Sequence, residues 1–355
     1  MLARTLDWAV FAPDINNPDH QLFTASLASI RAHLQTVGQP VSQAEQRPFE
    51  INVTFLESGL PNALANKIDG KHVAAVNTGL AVTIHEFGLF CFAQSSFLPM
   101  IGEPSKEASP SLADGTPPGV ALLLATAKAD QGEPVLDRFV MPQCPHRTVA
   151  AHYLTLIMLR FVWLHEVAHG LLGHVDYLRD KQTSAEISEL HVDELAQGIP
   201  GIDGRVLQCM EFEADSWAIG KLIAIQAHGG ENIDGIASLH MALRLQMNVF
   251  AAYSLCWLME TLASTARRGR LNITHPAPVR RLQNLQNIAA NELKFLNFES
   301  TRMLRDVSAQ FEGVLSQIGK QWVQMDKFEP VSYRAVFDQM RQDLAPYRYL
   351  IPDED

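Results

Sequence analysis

His165, Glu166 and His169 stand in the run HEVAHGLLGH, residues 165–174, and their types and spacing suit one kind of chemistry. On a helix, residues four apart share a face, so both imidazoles can hold one zinc ion. Glu166 is offset by about 100° around the axis, where its carboxylate reaches a metal-bound water and serves as general base. The segment from His152 to Leu164 has neither Pro nor Gly and predicts a buried helix running into this motif. Gly170 follows the second His directly, where a missing side chain lets another element come close. A second run, His85-Glu86-Phe87-Gly88-Leu89, begins in the same way but has Leu in place of the second ligand, and so predicts no metal role.

A catalytic zinc usually takes three protein ligands and keeps one position for water. The third ligand is sought in Cys209-Met210-Glu211-Phe212-Glu213-Ala214-Asp215, which also reads as helical. Glu211 and Asp215 share a face, while Glu213 lies about 200° from Glu211 and points elsewhere. The expected arrangement has Glu211 as third ligand, with Asp215 accepting the other N–H of a ligand imidazole. Asp215 as ligand is the main rival, because either carboxylate suits zinc. A purely structural, closed site would need a fourth ligand, for which His174, Cys144 and His191 are the nearby residues. Cys144 could also cap the metal as an inhibitory thiolate, and His174 otherwise reads as a cation near a helix C-terminus.

HEVAHGLLGH, EFEAD beginning forty-two residues after His169, and the downstream HPAPVRRL of residues 275–282 together resemble the gluzincin family of HtpX and the type I CAAX prenyl proteases. That family combines HExxH, an E-x-E-A-D run and an HPxxxxR[IL] segment, and every defined position is met here. The resemblance covers roughly residues 150–285. It implies a zincin-like metallopeptidase core with His165, His169 and Glu211 as zinc ligands and Glu166 as base. It places His275 near the site as a stabiliser of the tetrahedral intermediate, and the other reading of His275 is a helix-entry residue before Pro276. The GH at Gly173-His174 is also similar to ImmA/IrrE-like regulatory and phage-exclusion peptidases. The alternative function is therefore a peptidase-fold regulator that acts on one partner protein or by binding alone.

The membrane members of the family carry long apolar spans. Here the most apolar stretches are Val149–Leu164, which includes His152 and Arg160, and Met247–Met259, too short for about 30 Å of hydrocarbon. Both read as core helices, so no transmembrane span is expected. A net charge of −11 argues against nucleic acid as a partner. The N-terminus shows no signal-peptide pattern, and the four cysteines have no CxxC spacing, which points to a cytoplasmic enzyme with reduced thiols.

The elements that must position these groups divide into an N-terminal α+β region (1–145), a metallopeptidase core (146–290) and a C-terminal helical region (291–355). Leu22–Val37 predicts an amphipathic helix, Phe49–Phe55 and His72–Asn77 predict strands, and an apolar segment follows to Ala93. Residues 102–119 and 180–204 read as polar loops, the second a lid or a surface excursion. The fold class expected is α+β, mainly helical, with a small β-sheet. The substrate expected is a peptide or protein, and the oligomeric state is left open.

Overall fold

The computed structural model describes residues 9–36, 41–42, 48–112, 118–119, 140–181, 187–188, 202–228, 239–267, 276, 278–320 and 333–350. Strand β1 (Val10–Phe11) and helix α1 (Gln21–Thr36) precede β2 (Val41–Ser42), β3 (Ile51–Leu56), β4 (Ala63–Ile68) and β5 (Lys71–Asn77). Helix α2 (Thr78–Phe92) leaves β5 without a loop. Then come α3 (Pro145–Leu171), α4 (His174–Asp180), β6 (Ile187–Ser188), α5 (Gly204–His228) and α6 (Met241–Arg267). The chain continues through α7 (Pro278–Phe295), α8 (Ser300–Gln317), α9 (Arg334–Leu344) and β7 (Tyr349–Leu350). The molecule is mainly helical with a small mixed sheet, an α+β arrangement.

Five strands form the sheet in the order β1-β3-β5-β4-β6, with β3 and β5 parallel and the remaining pairs antiparallel. The expected strands at 49–55 and 72–77 are β3 and β5. Their β-branched residues suit a pleated surface whose inner face is covered by helices. The composition of β4, Ala-Leu-Ala-Asn-Lys-Ile, predicts no strand, and pairing imposes one. Asp69 and Gly70 both take positive φ, 48° and 82°, and join Ile68 to Lys71 as a two-residue hairpin. An Asp-Gly pair of this kind is the sequence signal for such a turn.

Helix α3 begins with Pro145 in its first turn, where the missing N–H costs nothing, and meets no further Pro. It packs against α2, α5 and α6 and lies across β4 and β5. Among the described residues it is the one helix long and apolar enough to cross a membrane, and 94% of its apolar window is buried by the rest of the chain. Polar ties help to hold it. The buried Arg147 guanidinium donates to the carbonyls of Phe92, Gln94, Phe97, Leu98 and Ile101, gathering the chain that leaves α2. Gln226 Oε1 on α5 accepts from Tyr153 on α3 and, at 3.2 Å, from Asn248 on α6.

The C-terminal elements do not stand apart from the core. α7 packs on α5 and α6, α9 packs on α5, and β7 pairs with β2 near the other end of the chain.

Candidate metal centre

The site forms where α3 meets α5. Each helix contributes an i, i+4 pair, His165 with His169 and Glu211 with Asp215, and the two pairs face one another. His165 Nε2 and His169 Nε2 are 3.0 Å apart. Glu211 reaches both rings, with Oε2 at 3.4 Å from His165 Nε2 and Oε1 at 3.5 Å from His169 Nε2. This is the one group of metal-ligating side chains among the described residues, and it is buried and could bind a metal ion. The triangle tests what fits. Ligand atoms about 2.0–2.1 Å from a tetrahedral zinc stand about 3.3 Å from one another, and the distances here run from 3.0 to 3.5 Å, with each ring met by a different Glu211 oxygen.

The Nδ1 atom of each ring has its own polar neighbour. His165 Nδ1 lies 3.1 Å from Asp215 Oδ1. Asp215 is fully buried and accepts from Arg281 Nε and a terminal nitrogen, each at 2.8 Å, in a two-pronged pair. Burial works against ionising Asp215, but Arg281 and His165 hold its carboxyl below the usual range. Both Asp215 oxygens are thus engaged on the Nδ1 side of His165, away from the Nε2 atoms that face Glu211. Arg281 is the arginine of the HPxxxxR[IL] segment, so the structure joins two of the three sequence motifs through one ion pair.

His169 Nδ1 meets His174 Nδ1 at 2.9 Å, and His174 Nε2 meets Glu213 Oε2 at 3.2 Å. Glu213 in turn accepts from Arg341 at 2.8 Å and Arg348 at 2.6 Å, both from the C-terminal elements. Burial drives His174 toward its neutral form despite the pull of Glu213. Burial alone would raise the Glu213 carboxyl, yet His174 and Arg348 hold it well below the usual range. Glu213 does face away from Glu211, as its spacing predicts, and the structure shows that it faces this second relay.

His174 differs from its reading as a cation at a helix end. α3 stops at Leu171, Gly173 adopts φ 80°, and His174 opens the next helix as a buried residue. The left-handed Gly173 is needed twice over, because a Cβ there would also sit 2.7 Å from the Tyr347 backbone. Nor is His174 a fourth ligand, since it approaches His169 through Nδ1, on the side of the ring away from Glu211. Cys144 is also excluded as a cap. It stands just before the first residue of α3, and the 21 residues from there to His165 span about 31 Å of helix. His191 and His275 lie outside the described residues.

Gly170 performs the service expected of it. Its position is met by His72 of β5 and by the Phe49 ring, whose atoms would lie 3.0 and 3.1 Å from a Cβ. This close contact seats the turn of α3 that carries His169 on the sheet. Glu166 is buried, one residue after His165 on α3. His85 and Glu86, by contrast, sit on α2, where the His85 ring packs near His152 with centroids 5.4 Å apart, and no metal-ligating group forms there.

The expected polar stretch at 180–204 contains β6, which adds to the sheet beside β4 at Leu64 and Ala65. Its remaining residues from 182 to 201 lie outside the described residues.

Comparison with protein-family models, with curated proteins and with solved structures finds no match. The reading of this site therefore stands on its own residues and geometry.

Proposed function

We propose that the chain is a zinc-dependent metallopeptidase with a zincin-like core, hydrolysing peptide bonds in a peptide or protein substrate. The observation that supports it best is the donor triangle of His165, His169 and Glu211, backed by a polar neighbour on each ring's Nδ1. Two neutral imidazoles and one carboxylate suit zinc and leave room for water and substrate. When bound, zinc supplies Lewis acidity that makes water nucleophilic near neutral pH and polarises a scissile carbonyl.

The chain's own groups do the rest. For His165 and His169 to present Nε2 lone pairs, both rings must carry their protons on Nδ1. Asp215 and His174 accept those protons in hydrogen bonds, which fixes tautomer and ring orientation before metal or substrate arrives. Glu166 takes the proton of the attacking water on its carboxylate and returns it to the leaving amine. His275, by its place in the motif, donates to the developing oxyanion. The burial of α3 and the four unbridged, buried cysteines support a cytoplasmic protein with α3 as a core helix.

Elemental mass spectrometry of the wild type beside Glu211→Ala tests this reading. About one zinc per chain, lost in the variant, is expected, followed by cleavage of a peptide library. Glu166→Gln should keep the metal while turnover falls by about 10²–10⁴-fold. A metal-free protein after zinc reconstitution would overturn the proposal. One bound zinc without turnover on any peptide would favour the regulator that acts by binding alone.

A further inference from the structure

Arg348 and Tyr349, where the chain enters β7, reach the turn of α3 that carries His169 from two sides. Arg348 is extended, with φ −72° and ψ 149°, so its side chain and that of Tyr349 project in opposite directions. On one side Arg348 donates to Glu213 Oε2 at 2.6 Å. The same oxygen meets His174 Nε2, and His174 Nδ1 meets His169 Nδ1. On the other side the Tyr349 hydroxyl lies 3.1 Å from His72 Nε2, and the Tyr349 ring meets Phe49 with centroids 4.9 Å apart. His72 and Phe49 are the residues that close on Gly170, the neighbour of His169. Two consecutive side chains thus end, through one or two intermediaries each, on the same turn.

The segment that presents them is anchored by other contacts. Met340 and Leu344 of α9 are buried and complete a small second core with Leu178 of α4 and Leu207, Cys209 and Met210 of α5. The Tyr347 hydroxyl donates to Asp180 Oδ2 at 2.7 Å, and its ring meets Tyr177 edge-on with centroids 5.7 Å apart. The Tyr349 hydroxyl also donates to Asp176 Oδ2 at 3.1 Å. Asp176, Tyr177 and Asp180 all belong to α4, the helix that opens with His174. At seven residues α4 is too short to hold itself, so its place is set by what packs on it. The segment therefore touches the His174 helix directly as well as through Glu213.

We propose that residues 344–350 form a clasp that positions His169 for a metal ion, with Arg348 and Tyr349 as its positioning residues, so that clasp docking and metal binding strengthen each other. The assignment rests on the reading of His165, His169 and Glu211 as the metal group, and not on peptide hydrolysis. An undocked clasp leaves Glu213 without Arg348 and His72 without its hydroxyl neighbour, so His169 loses support on both sides, and a ligand ring that is not held in orientation binds metal more weakly. Coupling of this kind is reciprocal. Whatever factor the clasp adds to metal affinity, the metal adds to clasp docking, and such factors typically run from about 5-fold to about 150-fold.

The test uses the full-length protein and needs no turnover. Hydrogen exchange followed by mass spectrometry, on protein stripped of metal and then loaded with zinc, reads one direction of the coupling. Backbone amides of residues 340–350 should exchange at least about fivefold more slowly with zinc, and Glu211→Ala should remove the difference. Competition with a chromophoric chelator reads the other direction. Leu344→Ala weakens the anchor without touching Glu213 or His72 contacts, and it should lower zinc affinity by at least about fivefold. Leu344→Met, which refills the small core, should restore that affinity. Tyr349→Phe keeps the ring on Phe49 and removes the hydroxyl. It should lower zinc affinity by a smaller factor, and it stands in if Leu344→Ala does not fold. Thermal midpoints that fall while zinc affinity stays unchanged in both variants would overturn the clasp, as would exchange rates that bound zinc leaves unaltered. A wild type that takes up no zinc would overturn the metal reading and the clasp with it.

Discussion

His169 and His174 face one another through their Nδ1 atoms at 2.9 Å, across the turn that separates two helices. Two like nitrogens at that distance need one proton between them. If His169 turns the lone pair of Nε2 toward a metal, the proton sits on His169 Nδ1 and His174 Nδ1 accepts it. His174 then carries its own proton on Nε2 and donates it to Glu213. One proton assignment thus satisfies every contact from the metal position to the C-terminal arginines.

His174→Phe removes that acceptor while keeping a buried ring of similar breadth. Zinc affinity should fall by about 10–100-fold, the usual cost of losing the group that orients a ligand. His174→Gln, which can still accept, should recover part of the loss. Competition with a chromophoric chelator measures both, and unchanged affinity in the Phe variant would show that His174 has no orienting role.

Arg341 and Arg348 both bind Glu213, but their side chains are 56% and 23% exposed. The more exposed pair is the more screened, so Arg341→Ala should cost under about 1 kcal/mol of stability. Arg348→Ala should cost more, because it strips the Glu213 oxygen that also accepts from His174. It should lower zinc affinity as well. Equal effects in urea denaturation and metal titration would contradict this ranking.

Asp215→Asn leaves the Arg281 guanidinium buried without its counter-charge. Losing one partner of a buried pair costs about 3–5 kcal/mol, most of it the penalty of the orphaned charge. Asp215→Asn combined with Arg281→Met should therefore recover stability relative to Asp215→Asn alone, while zinc affinity stays low in both. Thermal unfolding of the metal-free proteins reads the first effect and metal titration the second. A double variant as unstable as the single one would refute the pairing argument.

Glu86 gives a pH dependence of known sign. Burial pushes its carboxyl up from 4.5 to about 7. Above pH 4.5 the unfolded chain ionises this group while the folded one still holds the proton. The cost to stability therefore grows as pH rises from 4.5 to 7 and is absent at lower pH. Glu86→Gln should stabilise the protein by about 1–2 kcal/mol at pH 8, allowing for screening, and leave it unchanged at pH 4. Denaturant midpoints at the two pH values check this, and a gain at pH 4 equal to that at pH 8 would rule out ionisation as the cause.

Much of the framework was legible from periodicity. The expected helix at 22–37 is α1, the strands at 49–55 and 72–77 are β3 and β5, and the apolar segment to Ala93 is α2. Those patterns depend on burial of one face or both, which a local run of residues records. β4 was missed because its composition is poor for a strand, although Asp69-Gly70 marked the hairpin. β6 and β7, two residues each, exist through pairing with distant strands and leave no local periodic trace.

What the sequence by itself determined was which side chains share a face. Four-residue spacing puts His165 with His169 and Glu211 with Asp215, turns Glu213 away, and leaves Gly170 bare for a close approach. These follow from the pitch of the helix alone. Only the tertiary structure decided which faces meet. It set the two pairs against each other at metal-ligand spacing. It gave Asp215 to His165 and Arg281, and it turned His174 from a supposed helix end into the link between His169 and Glu213. It also drew Arg341 and Arg348 from the far end of the chain onto that carboxylate. Hydrogen bonds and ion pairs act over a few ångströms and are indifferent to sequence separation, so such partners become visible only once the chain has packed.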